Sequence, residues 1–157
     1  KTKPGAGPRH CEFMGDRCYV INEISSTISV LSYDPENGLL TQIQEVPAVP
    51  AAFRGDNICA DIHITPDGRF LYGSNRGHDS IVIYSINKTT GLLEYVDITP
   101  SGGKTPRNFS IDPTGKYVLV CNQDTDNIVV FSIDQKSGKL FEVSEYFVPT
   151  PVCIKFC

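Results

Sequence analysis

The sequence has no surplus of positive charge: 18 acidic residues stand against 14 basic ones, for a formal net charge of −4. That balance leaves no electrostatic footprint for nucleic acid, and no nucleic-acid partner is expected. No uninterrupted apolar run approaches the length of a membrane span, so no membrane partner is expected either. The opening stretch, "KTKPGAGP", lacks the charged-then-apolar order of a secretory signal, which makes a cytoplasmic location the expectation. It also lacks a methionine, and an upstream part of the protein is expected.

Cysteine is present but unpatterned. Cys11, Cys18, Cys59, Cys121, Cys153 and Cys157 include no CxxC pair, and His10, His63 and His78 show no zinc-ligand spacing, so neither metal nor other cofactor is expected. A chain of 157 residues is long enough to bury a real core without a disulfide framework. The cysteines are therefore read as free thiols in a reducing compartment. Asn87-Lys-Thr and Asn108-Phe-Ser match the glycosylation acceptor pattern and are read as chance matches.

Helical periodicity is also missing; a long repeat is there instead. The stretches "YVINEISSTISVLSYDPENGLL", "YGSNRGHDSIVIYSINKTTGLL" and "VCNQDTDNIVVFSIDQKSGKL" superimpose without slippage. Asn22, Asn75 and Asn122 coincide, as do Ile28, Ile81 and Ile128, and Gly38, Gly91 and Gly138, each set at intervals of 53 and 47 residues. A period near 50 falls among propeller blades. Each repeat reads as four short strands. The first follows a Pro- or Gly-rich lead-in (about 8–13, 60–65 and 107–112), and "PDGR" and "PTGK" supply turn chemistry after it. The second ends at the shared asparagine. The third ("TISVLSY", "SIVIYSI", "NIVVFSI") is β-branched and almost continuously apolar, which suits a sheet covered on both faces. The fourth follows the turn with the repeated glycine.

The expected fold is all-β: a β-propeller of three four-stranded antiparallel blades, over about 8–50, 58–104 and 105–150, with one extra strand at 151–156. Three blades do not close a ring, so open strand edges and uncovered apolar faces are expected. They would take an N-terminal propeller half or drive self-association.

Polar residues collect at one end of this arrangement. Asp61 and Asn108 lie 14 residues before their asparagines, and His10 lies 12 before Asn22, so the first blade has lost two residues in its "FMGDR" turn. Arg9 and Arg107 then share one blade position, which Ala60 fills in the middle blade. Glu23, Arg76 and Gln123 follow the three asparagines at the same end. Arg9, His10, Glu23, Asp61, Arg76 and Arg107 therefore surround one concavity, and several guanidinium forks there suit a multiply anionic ligand. Plainer roles stand beside this one. Arg9 and Arg107 would serve as solvated charges or carbonyl caps, Arg76 as a partner of Asp79, and His63 as a strand residue bonded to backbone. The three asparagines are read as holding the turn into strand three.

At "GAGPRH", "YVINEISSTISV", "ADIHITPDGRFLYGSNR", "SIVIYSI" and "PRNFSIDPTGKYVLVCNQDTDNIVVFSID" the chain closely resembles the lactonase family of seven-bladed β-propellers, over the C-terminal half of that family. The resemblance implies a metal-free cleft at one end of the ring. It implies site residues Arg9 and His10 from "GPRH", Glu23 from "NE" and Arg76 from "SNR", with Arg107 from "PRNF" as a second family arginine. The activity implied is hydrolysis of a small anionic sugar-acid lactone such as 6-phosphogluconolactone. Arg9 or Arg76 would meet the oxyanion, and Glu23, with His10 as alternative, would accept the water proton; Arg107, with Asp61 and His63 nearby, would bind substrate. Two other expectations compete: a non-catalytic fragment that binds through its open edge, and lactone formation on a carboxy-muconate.

Overall fold

The computed structural model of the chain describes residues 3–156. Twelve strands make three four-stranded antiparallel sheets, each in simple sequential order. Blade one holds β1 (Pro8–Met14), β2 (Arg17–Asn22), β3 (Thr27–Asp34) and β4 (Leu39–Pro47). Blade two holds β5 (Ile58–Ile64), β6 (Phe70–Arg76), β7 (Ser80–Ile86) and β8 (Leu93–Pro100). Blade three holds β9 (Pro106–Ile111), β10 (Tyr117–Asn122), β11 (Asn127–Ile133) and β12 (Leu140–Phe147). One turn of 3-10 helix, Gln123–Thr125, is the only helix among the described residues.

The repeat read from the sequence is a repeat of register. Asn22 pairs with Thr27, Asn75 with Ser80 and Asn122 with Asn127 across the same turn. The residue before strand three takes positive φ in every blade: 52° at Ser26, 51° at Asp79 and 53° at Asp126. Strands three and four share one bulge, after Val30, Ile83 and Val130. The first blade is shortened where expected. Phe13 pairs with Cys18, whereas Ile64 pairs with Leu71 and Ile111 with Val118 around turns two residues longer. The loss stays in that turn, so Arg9 remains level with Ala60 and Arg107.

Burial follows blade position more than sequence. In the middle blade β6 is buried throughout and β7 nearly so. In blade three the equivalent β11, just as apolar, alternates buried and half-buried, because one of its faces has no neighbour. Tyr19, Ile21, Ile28 and Val30 pack against Ile62, Leu71, Val82 and Tyr84 between blades one and two. Tyr72, Ile81 and Ile83 pack against Phe109, Val118, Val120, Val129 and Phe131 between blades two and three. The apolar effect drives both seams, and polar staples set their register. The Asn75 amide donates to Ala48 O at 2.7 Å and the Asn122 amide to Ser101 O at 2.9 Å, each reaching the end of the preceding blade. The asparagines thus do more than hold their own turns.

Residues 151–156 were expected to form a strand; they join no sheet. They do occupy the place where one would begin. Thr150 N donates to Asp126 Oδ1 at 2.8 Å, as Thr105 N does to Asp79 Oδ1 at 2.9 Å ahead of β9. Both threonines have positive φ, 46° and 59°. Ile154 N then donates to Asn108 Oδ1 at 2.7 Å, as Phe109 N does to Asp61 Oδ2 at 3.3 Å. The segment therefore lies at the innermost position of a fourth blade. It forms no ladder because no second strand lies beside it.

Candidate functional site

The innermost strands bring equivalent residues side by side. Arg9, His10 and Glu12 of β1, Asp61 and His63 of β5, and Arg107 and Asn108 of β9 line an open cleft of about 500 Å³, closed on one side by Val152, Cys153 and Lys155. Every second residue of a strand faces one way, which puts Glu12 on the His10 side and His63 on the Asp61 side.

Asp61 is the centre of this wall. It is 3% exposed, and its carboxylate receives donors from three directions. His10 Nδ1 lies 2.6 Å from Oδ1; His63 Nε2 at 3.2 Å and the Asn108 amide at 2.5 Å meet Oδ2. Burial alone would push the acid up, but the bonds from His63 and His10 hold it well below the usual carboxylate range. His63 is caught between two acids, with Nδ1 2.9 Å from Glu12 Oε1. Burial disfavours its charge, yet the bonds to Asp61 and Glu12 raise it to about 9, so it is a cation at neutral pH. Its partners are these side chains, with the Phe109 ring edge-on at 4.9 Å, and not backbone.

Above this wall lie the arginines. Arg9 Nη1 donates to Ala60 O at 2.7 Å, and its Nε stands 3.8 Å from Glu23 Oε1. Burial and the neighbouring Arg76 lower its pKa, against the pull of Glu23. Arg76 is 8% exposed; it pairs closely with Glu23 and donates to Cys59 O at 3.0 Å. It lines a separate hollow with Asp56, Asn57 and Thr105. Asp79, the plainer partner considered for Arg76, accepts from Gly77 N and Thr105 N instead. Arg107 is exposed at the cleft.

All seven residues singled out from the sequence thus fall in one region, divided into two layers. Arg9, His10, Asp61, His63 and Arg107 face the cleft, while Glu23 and Arg76 stand beside it as an ion pair. Among the charged and amide side chains of the cleft, three were missed: Glu12, Asn108 and Lys155. Strand alternation from His10 pointed to Glu12, and the repeat alignment with Asp61 pointed to Asn108; Lys155 follows only from the placement of the terminal segment.

Among the described residues no group of His, Cys, Asp or Glu is arranged to hold a metal ion, and no helix is long and apolar enough to cross a membrane. Cys11, Cys18, Cys59, Cys121 and Cys153 are unpaired; Cys157 lies outside the described residues.

The sequence profile described as "Lactonase, 7-bladed beta-propeller" matches residues 1–156, and the chain belongs to that family. A Bacillus subtilis protein named 6-phosphogluconolactonase is 41% identical over 156 residues, 98% of this chain and 45% of that protein. A Formosa agariphila protein of the same name is 47% identical over 115 residues, 71% of this chain and 32% of that one. Among solved structures, the periplasmic gluconolactonase of Pseudomonas aeruginosa superimposes with a TM-score of 0.94 at 35% identity, over 98% of this chain and 43% of that one. A putative 6-phosphogluconolactonase from Bacteroides fragilis gives 0.92 at 40% identity, over 100% and 44%. The chain spans less than half the length of these relatives, in keeping with its likeness to one half of the family.

Proposed function

We propose that these blades carry part of the site of a lactonase that hydrolyses a sugar-acid lactone, with 6-phosphogluconolactone as substrate. The observation that carries this reading is the pair of equivalent arginines, Arg9 and Arg107, on one cleft with Lys155. A phosphorylated lactone presents a dianion at one end and a carbonyl at the other. Arg107 and Lys155 suit the phosphate. Arg9, partly desolvated and anchored on Ala60 O, suits the oxyanion that develops when water attacks the carbonyl. Arg76 acts from behind, holding Glu23 against Arg9. A cytoplasmic setting is part of the same proposal.

A second reading has its own support in the open faces of the outer blades. Phe13, Val20 and Leu40 on blade one and Leu119, Ile128 and Val130 on blade three have no covering blade. The proposed occupant is a complementary propeller half, with self-association as the alternative. Hydrolysis of 6-phosphogluconolactone, followed with this chain alone and with an added N-terminal half, tests both readings. Turnover that appears or rises on addition of the half supports them together. Partnering without turnover supports association alone, and neither partnering nor turnover contradicts both.

A further inference from the structure

Asp61 decides which nitrogen of His10 carries a proton. An ionised carboxylate can only accept, and Asp61 is held ionised by its donors. His10 Nδ1, 2.6 Å from Asp61 Oδ1, must therefore be the N–H. In the neutral ring that leaves the lone pair on Nε2, whose neighbour is Arg9 Nη1 at 3.3 Å. This contact is long, and Arg9 makes a shorter bond to Ala60 O at 2.7 Å, so a water can take its place at Nε2. The ring lies at the cleft wall with 46% of its side chain exposed. The residues around it are not free to turn it: Asn108 and His63 hold the other oxygen of Asp61, and Glu12 holds His63.

Glu23, the other acceptor beside Arg9, is placed differently. Its Oε1 is committed to Arg76 and faces Arg9 Nε. Protonating it there would break the ion pair and leave a guanidinium that is 8% exposed without its partner.

We propose that His10 is the base that takes the proton from the attacking water and that Asp61 is its positioning residue, an inference that rests on the lactone-hydrolysing reading. The water proton passes to Nε2 as its oxygen bonds to the ring carbonyl carbon, and the oxyanion forms against Arg9. When the tetrahedral intermediate collapses, the ring C–O bond breaks and the same proton returns from Nε2 to the departing alkoxide. Asp61 steadies the imidazolium between the two transfers without taking its proton.

The test has two arms. In ¹⁵N NMR of the wild-type chain, neutral His10, assigned by its loss in His10→Gln, is expected as the Nδ1–H tautomer and should move toward Nε2–H in Asp61→Asn. In turnover of 6-phosphogluconolactone by the protein with its N-terminal half, His10→Gln and Asp61→Asn should each lower kcat roughly 10³-fold with KM nearly unchanged. Added imidazole should restore part of the rate to His10→Ala. An Nε2–H tautomer in the wild type, or wild-type kcat in His10→Gln, overturns the proposal. If Asp61→Asn does not fold, the exposed His10 variants decide it. No turnover by the wild type overturns the hydrolytic reading and with it the base. The tautomer arm still decides whether Asp61 positions His10.

Discussion

Tyr72 in the middle blade donates its phenolic hydrogen to the carbonyl of Gly138 in the third, at 2.8 Å. Tyr19 does the same from blade one to Gly91 of blade two, at 2.9 Å. The repeated glycine leaves room for a second side chain of the preceding blade, Phe70 at Gly138 and Arg17 at Gly91, beside the tyrosine. Both glycines have positive φ, 71° and 76°, and a Cβ at Gly138 would come within 2.5 Å of the Phe70 ring. In blade three the equivalent of the tyrosine is Leu119, so the staple is absent where no fourth blade stands.

Removing either hydroxyl leaves a buried carbonyl without its donor. Tyr72→Phe and Tyr19→Phe should each destabilise the chain by about 1–2 kcal/mol in urea unfolding, with little change in the slope of the transition. Equal loss at both positions would show that the two seams depend on the same bond.

His63 makes stability depend on pH. Its folded value, about 9, lies above its ordinary value of 6.5, so its contribution is complete below about 6.5 and is lost as pH rises through 9. That contribution is on the order of 3 kcal/mol by linkage. Asp61 is shifted down, so its stabilisation is present at neutral pH and is lost in strong acid. Denaturation midpoints measured from pH 6 to 10 should fall for the wild type and run flatter in His63→Gln.

Arg76 joins Glu23 to the backbone of β5 through Cys59 O. Arg76→Ala should free Glu23, loosen the placement of Arg9 and reduce lactone turnover about 10²-fold in the protein with its N-terminal half, the scale of misplacing a catalytic group. An unchanged rate would assign the pair to structure alone.

The open faces predict association. Phe13 is 53% exposed, Tyr117 43% and Tyr146 60%, on blades whose inner faces are fully packed. An uncovered blade face is worth several kcal/mol at about 25 cal/mol per Å². Sedimentation at micromolar concentration should show self-association of the chain alone, abolished when an N-terminal half is added.

The strands, their order and the two-residue shortening were legible because a repeat makes each blade a check on the others. The clustering of Arg9, His10, Asp61 and Arg107 followed from the same alignment. Other features were not legible, for stated physical reasons. Residues 151–156 have strand composition, but a ladder needs a partner that sequence pattern does not reveal. The division between Arg9, which faces the cleft, and Arg76, which is buried on Glu23, depends on side-chain direction across blades. Asp61 was visible as one more polar residue; its role as shared acceptor of His10, His63 and Asn108 arises from contacts that span up to 51 residues.

The central claim is that equivalent arginines of the innermost strands form an anion-binding cleft. Isothermal titration of the chain with 6-phosphogluconate, the hydrolysis product, tests it most directly. The account predicts saturable binding that weakens with added salt and falls about tenfold in Arg107→Ala, a loss of about 1.4 kcal/mol. Binding that ignores both salt and Arg107, or no binding at all, would contradict it.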